Sequence, residues 1–326
     1  MLPAAGAPTQ LSMISGLGLG LGNLAATLIF LALVMLFVLP DMIGWPFAQP
    51  QFGFDIAQFE HVRIVGPICA AWLAVWSIPF FLHAPDPGQP GASWRAAFIA
   101  GFHGVVRTVR DASHYRELVK FLVARMFYAD AMAALLALGA VYVALFLEWG
   151  YLEMLCYAIF GSACGFGGGV FGGWLDRKVG VKMSLILEII VMVAALLCQL
   201  SITKQSILFG LFDNYAVWDG LVFKTLSDLA YLALISVVAI SATASISSSR
   251  AMLVTLAPSG RAGEFFGLYA IAGTITVWMG PLLVEQFTLW FNDQRIGMAS
   301  ISLLFVVGLG ILMSVRMKPH GQTTNP

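Results

Sequence analysis

Residues 121–147 read FLVARMFYADAMAALLALGAVYVALFL, a stretch in which Arg125 and Asp130 are the only charged side chains. Crossing the hydrocarbon of a bilayer takes about 20 mostly apolar residues, because the backbone must satisfy its own N–H and C=O groups on the way through. This stretch qualifies as a spanning helix. Segments 14–39, 64–82, 152–175, 183–202, 229–247, 265–287 and 296–315 share the pattern, so the sequence predicts an all-α polytopic membrane bundle of eight spans. The chain is 60% hydrophobic and 10% charged, against about 45–50% and about 25% for a soluble domain. That balance excludes a soluble enzyme. With 17 basic and 17 acidic side chains there is no net positive field to hold nucleic acid.

Eight crossings would put both termini on one side. Loops on that side carry twelve of the Lys and Arg residues and loops on the other side four. Such an excess marks the cytoplasmic face, and the expectation is a multi-pass protein of the bacterial cytoplasmic (inner) membrane with both termini inside. Residues 1–10 lack the basic start of a secretory signal. The expected organisation is two spans in 1–82, a cytoplasmic linker in 83–120, a six-span bundle in 121–316 and a tail in 317–326. The linker opens with Pro85, Pro87, Gly88, Pro90 and Gly91 and continues as an amphipathic stretch bearing Arg95, Arg107 and Arg110. On the opposite face Ile207, Leu211, Tyr215, Trp218, Val222 and Leu226 recur every three or four residues, as in an interfacial helix or a span extension.

Small residues at four-residue steps let helix backbones approach closely in lipid. The fourth span supplies Gly161, Gly165, Gly169 and Gly173, flanked by Gly168 and Gly172, and the first supplies Gly18, Gly22 and Ala26. Static packing and a sliding interface both fit these stripes. Asp130 lies nine residues after Phe121, roughly 13 Å along a helix and near mid-membrane. An acid at that depth must face the bundle interior or a wet cavity, as a hydrogen-bonded structural carboxyl or as a substrate or proton site. Arg125 is near enough to the surface to snorkel, and at five residues from Asp130 it lies on another helix face. Glu188 sits close to the cytoplasmic edge, where pairing with a basic residue is expected.

Asn23, Tyr128, Gln199, Thr274, Thr276 and Trp278 are further polar groups at membrane depth, each read as helix glue or ligand contact. Gly280 and Pro281 interrupt the seventh span, either as a kink or as a break exposing backbone to a cavity. The four cysteines lie in apolar stretches and read as small buried hydrophobes. The sequence contains no H-E-x-x-H, G-x-S-x-G or G-x-x-x-x-G-K-[ST] motif. No enzyme chemistry, cofactor or metal is expected; the expected partners are membrane lipid and a small polar solute.

The loop after the fourth span, Gly172, Gly173, Trp174, Leu175, Asp176, Arg177, Lys178, Val179, Gly180, Val181, Lys182, resembles the G-x-x-x-D-R-x-G-x-K loop of the major facilitator superfamily. A more specific likeness follows Ser248: Ser249, Arg250, Leu256, Ala257 and Pro258, then Glu264 to Tyr269 (EFFGLY), then Gly280, Pro281 and Leu282. This run is similar to that of the vacuole effluxers related to the autophagy-associated amino-acid exporter, a branch of that superfamily. Ala124, Arg125, Tyr128 and Asp130 resemble the A-R-x-x-Y-x-D opening of its seventh helix, and Ser15, Gly16, Leu17, Gly18 and Gly22 the opening of its fifth.

The resemblance implies a secondary active transporter of a small polar metabolite working by alternating access, with proton coupling through Asp130 and amino-acid efflux as the substrate analogy. By their depth and polarity, Asp130, Tyr128, Asn23, Thr274, Thr276 and Trp278 are the expected substrate or proton contacts. A cytoplasmic loop motif and gate would comprise Gly172, Asp176, Arg177, Gly180, Lys182, Arg125 and Arg250; headgroup anchoring explains the last two equally well. Asn23 stands where the family has small residues, and Thr274 follows Gly273 where a basic residue is frequent. The eight spans align with helices 5 to 12 of twelve. A second expectation is therefore a truncated, non-transporting membrane protein, or one that needs a partner for the N-terminal half-bundle.

Overall fold

The computed structural model describes residues 11–83, 95, 115–258 and 262–317. The expected amphipathic linker helix, apart from Arg95, and the two tails fall outside those residues. Contacts divide the chain into two units, Met1–Leu24 with Gly101–Pro326, and Ala25–Ala100.

The chain folds as an all-α polytopic bundle. Helix α1 (Leu11–Leu33) runs through a π-helical turn at Val34–Val38 into α2 (Leu39–Ile43), followed by α3 (Glu60–Arg63) and α4 (Val65–His83). Then come α5 (Arg116–Phe146), α6 (Tyr151–Val179), α7 (Val181–Leu200), α8 (Leu226–Leu256), α9 (Ala262–Ala272), α10 (Met279–Phe291), α11 (Gln294–Ala299) and α12 (Ile301–Ser314). Among the described residues seven helical segments are long and apolar enough to cross a membrane. The seventh expected span, 265–287, is not one helix. It divides into α9 and α10 across a run of turns, because Pro281 has no N–H to give the preceding turn and its ring crowds that turn's carbonyl.

In the smaller unit Phe37 packs against Phe52 and Phe54 with ring centroids 6.2 and 5.9 Å away. Buried His61 meets Asp41 at 3.4 Å. None of the residues of α4 is buried.

In the larger unit α6 is the central strut, and its glycines are what admit its neighbours. A Cβ at Gly168 would lie 2.5 Å from the Ile240 carbonyl oxygen of α8, and one at Gly172 2.8 Å from the Ala244 Cα. On the other side Gly169 meets Gly16 and Gly20 of α1 backbone to backbone, and Gly173 meets Met13. The α1 stripe is thus Gly16 and Gly20, two residues out of register with the expected Gly18 and Gly22, which have open space before them. Both pairs have four-residue spacing, and only the partner helix selects between them. Helix α12 closes on α5 in the same way, with a Cβ at Gly308 only 2.9 Å from the Tyr128 nitrogen.

At the end of the bundle where α5 finishes, Tyr142 donates to the carbonyls of Leu200 and Ile202 at 3.2 and 2.9 Å. Trp149 donates to Asp228 at 2.6 Å, and Asp228 forms a capping box with Thr225 at the start of α8. The segment before that cap is not the helix that its apolar spacing suggests. It holds two short antiparallel strands, β1 (Ser206–Ile207) and β2 (Phe212–Asp213), turned by Leu208, Phe209 and Gly210 with positive φ. Three consecutive left-handed residues cannot continue a right-handed helix. The cysteines also depart from expectation: Cys69 is exposed and Cys156, Cys164 and Cys198 are half-buried, on surfaces that an apolar solvent can cover.

The glycine contacts make a graded prediction. Gly172→Leu, whose side chain must enter the α8 backbone, destabilises the bundle by about 1–3 kcal/mol or more, whereas Gly161→Ala, which faces open space, is neutral. Thermal unfolding of the detergent-solubilised variants distinguishes the two.

Candidate functional site

The polar chemistry of the larger unit gathers where α5 lies beside the broken pair α9 and α10. The helices meet at three levels. At the first, Arg125 spreads its guanidinium over the Tyr269 ring, 3.5 Å from the centroid, and donates to the Tyr269 carbonyl at 3.2 Å and the Ser249 hydroxyl at 3.3 Å. Ser249 also shares a 2.7 Å hydrogen bond with Tyr128. Gly273 makes room for this, since a Cβ there would be 2.7 Å from the Arg125 Nη2. At the second, Thr276 donates to the Met126 carbonyl at 2.9 Å. At the third, Asp130, 1% exposed, accepts the Gly280 N–H at 3.0 Å. Gly280 is in the first turn of α10, where backbone donors have no partner in their own helix and the helix dipole favours an anion. The Asp130 carboxylate therefore caps α10 from a neighbouring helix. Its Oδ1 has no hydrogen-bond partner among the described residues.

Next to the first level lies a cavity of about 580 Å³. Ser15 and Gly18 of α1, Arg125 of α5, Arg250 of α8 and Phe266 and Tyr269 of α9 line it. That volume is in the range of small-molecule sites, roughly 300–1,000 Å³. Asp130 is not among its lining residues.

Of the residues expected to meet a solute or proton, Asp130, Tyr128 and Thr276 are buried along the α5 seam. Thr274 and Trp278 are exposed, and both bond to carbonyls within their own turn. Asn23 packs into the small-residue interface: its amide donates to the Leu19 carbonyl, its backbone carbonyl accepts from Ser162, and it borders Gly165. Arg125 does not snorkel, because the Tyr269 ring and the Ser249 hydroxyl hold it inward.

The loop motif resolves into separate parts. Gly180 takes φ +85° at the tight turn between α6 and α7. Lys182 donates to the Met313 and Val315 carbonyls at 2.8 and 2.7 Å, closing the end of α12. Arg177 is exposed and, among the described residues, reaches only the Met13 sulfur. Asp176 and Glu188 are both buried, and each accepts from Ser248, at 2.7 and 3.2 Å; Ser184 adds a bond to Glu188 at 3.1 Å. Glu188 is thus held by hydroxyls rather than by the basic residue expected at that edge.

Reading one residue at a time did not single out Ser15 or Ser248 as site residues. The available signal was compositional: residues 241–250 read SATASISSSR, a hydroxyl run inside an apolar span. In lipid such hydroxyls must bond to neighbouring helices, and here Ser247, Ser248 and Ser249 reach α1, α6 with α7, and α5 respectively.

The larger unit thus combines an apolar helical bundle, a broken helix with a buried carboxylate at the break, and a neighbouring cavity lined by two arginines and several apolar side chains. The chain belongs to the family described as vacuole effluxer Atg22 like, whose pattern it matches over residues 7–323. It is 24% identical over 310 residues to YxiO of Bacillus subtilis, described as an uncharacterized MFS-type transporter; the alignment covers 94% of this chain and 64% of that protein. It is 22% identical over 330 residues to autophagy-related protein 22-1 of Aspergillus clavatus, with 95% and 50% covered. The chain therefore spans between half and two thirds of the length of these relatives. The family's description and the YxiO name point to transport rather than to an enzyme.

The cap on α10 is directly testable. Asp130→Leu leaves the Gly280 N–H without an acceptor in a buried setting and lowers stability by about 1–3 kcal/mol. Asp130→Asn keeps a carbonyl oxygen for that donor and changes the unfolding temperature little.

Proposed function

We propose that this chain carries out secondary active transport of a small polar metabolite by alternating access, coupled to protons, in the cytoplasmic membrane with both termini inside. The observation that carries the reading is the junction of α9 and α10 beside the cavity, latched to α5 through Asp130. A broken helix concentrates bending at one place, and two half-helices can tilt separately where an intact helix moves as a rod.

Asp130 would link that motion to a proton. As a carboxylate it holds the Gly280 N–H by a charge-assisted bond of about 1.5–3 kcal/mol, and as a neutral acid by an ordinary one of about 0.5–1.5 kcal/mol. Oδ1, which lacks a partner, is where the proton would sit. Proton uptake then weakens the latch by about 1 kcal/mol, enough to shift a near-balanced equilibrium several-fold. The solute would occupy the cavity next to Arg125, whose contacts with Tyr269 and Ser249 reach α9 and α8. The family's amino-acid exporters supply the analogy for substrate, and efflux the analogy for direction.

The test is solute-driven proton movement into vesicles that carry the purified chain and an internal pH dye, challenged in turn with leucine, glutamate, succinate and lysine. Wild-type protein should move protons with at least one of these, and Asp130→Asn should lose the proton movement at least tenfold while still folding. Equal proton movement in the variant removes Asp130 from the coupling, and none with any solute for wild type removes the transport reading.

A further inference from the structure

We propose that the cavity between α1, α5, α8 and α9 binds a small anion, a carboxylate or phosphoryl group held by the guanidiniums of Arg125 and Arg250 and the hydroxyl of Ser15. The inference rests on reading that cavity as the solute site, and it narrows the solute from polar to negatively charged.

Two arginines line one space, and no carboxylate among the described residues does. Both arginines are half-buried. Burying a charge without a counter-ion costs several kcal/mol, and two like charges around one cavity add to the cost. A lysine could escape by releasing its proton; an arginine cannot. Arg125 has five N–H donors, and its hydrogen bonds to Tyr269 and Ser249 use only the Nε and Nη1 atoms. Arg250 makes no hydrogen bond or ion pair among the described residues, although it borders a run of bonded hydroxyls.

A third group is independent of the charges. Ser15 is 5% exposed and lines the same cavity; its Oγ is enclosed and has no hydrogen-bond partner among the described residues. A buried serine on a helix ordinarily bonds back to the preceding turn; Ser247, Ser249 and Ser300 all find partners. Donors unspent on three helices around one cavity define a receptor for an acceptor-rich, negative ligand. Other acids at this end of the bundle are engaged elsewhere: Asp176 and Glu188 with Ser248, and Glu117 with Lys120 and the Arg316 N–H; Glu264 of α9 also has a partner. Among the described residues no acidic side chain lines the cavity to receive the ammonium of a zwitterion or the charge of a cationic solute.

The experiment is equilibrium binding, by calorimetry and thermal shift, to the 326-residue chain in phosphatidylcholine nanodiscs. The probes are succinate and inorganic phosphate, with leucine and lysine for comparison. Succinate or phosphate should bind with at least tenfold higher affinity than leucine or lysine, weakening as salt is raised. Arg250→Gln should reduce that affinity tenfold or more, and Arg250→Lys should recover part of it. Because Arg250 makes no hydrogen bond or ion pair among the described residues, neither variant should lower the unfolding temperature without ligand.

Equal binding of leucine and succinate, or unchanged anion affinity in Arg250→Gln, overturns the proposal. Stabilisation only by phosphatidylglycerol built into the disc, dependent on Arg250 and with no free anion bound, also overturns it and assigns a lipid headgroup site. The outcome separates from that of the transport reading: solute-driven proton movement without anion binding sinks only this inference, and anion binding without proton movement sinks only transport.

Discussion

A backbone polar group in hydrocarbon has no water to fall back on, and breaking a spanning helix frees several at once. Residues 273–278 do this between α9 and α10, and α5 answers the break. Thr276 reaches across to the Met126 carbonyl, and Asp130 takes the Gly280 N–H. Both contacts need the chains close together, which is why glycine is required at the break. At Gly280 a Cβ would be 2.5 Å from the Ala134 Cβ, and at Gly273 it would strike the Arg125 guanidinium. Pro281 makes the interruption, the two glycines let a neighbour heal it, and α5 carries the polar groups that do so.

The same economy governs the rest of the larger unit. Lipid tails are as apolar as leucine, so helices in a membrane associate through close packing and interhelical hydrogen bonds. Helix α6 provides the packing, with one glycine stripe toward α1 and another toward α8. Helix α8 provides the hydrogen bonds through its hydroxyl run. Each serine there occupies little more space than an alanine yet ties down a different neighbour: Ser247 the Ser12 carbonyl, Ser248 the Asp176 carboxyl, Ser249 the Tyr128 phenol. A polar span facing lipid would be costly; α8 is affordable to the fold because these hydroxyls are all buried.

How much of this was legible depended on whether a residue's meaning was local. Length and apolarity decide whether a segment can span, so most of the spans and the all-α class could be read directly. Pro281 likewise marked the interrupted helix, though not whether it would bend or divide. Partner-dependent features were hidden. Gly16 with Gly20 and Gly18 with Gly22 are equivalent until α6 chooses one pair. Thr274 and Thr276 are two residues apart, about 200° around a helix, and only the second faces α5. The apolar spacing in 207–226 looked helical because the sequence offers no proline to forbid it. The left-handed residues at Leu208, Phe209 and Gly210 became visible only in the fold. Arg125 looked like a snorkelling side chain because its depth is marginal; the Tyr269 ring that turns it inward lies 144 residues away.

That inward turn connects the cavity to the break. Arg125 and Asp130 project from different faces of α5, the first toward Tyr269 on α9 and the second toward Gly280 on α10. One rigid helix therefore touches both halves of the broken one. On the proposed reading, an anion in the cavity takes the Arg125 donors that the Tyr269 carbonyl and the Ser249 hydroxyl leave free and so draws on the group that holds α9, while a proton on Asp130 relaxes the grip on α10. Each ligand acts on one side of the hinge. Because the two half-helices share a single junction, loosening either changes what the other can do. Coupling between solute and proton would then need no direct contact between them, only the shared stiffness of α5 and a junction with two arrangements of similar energy.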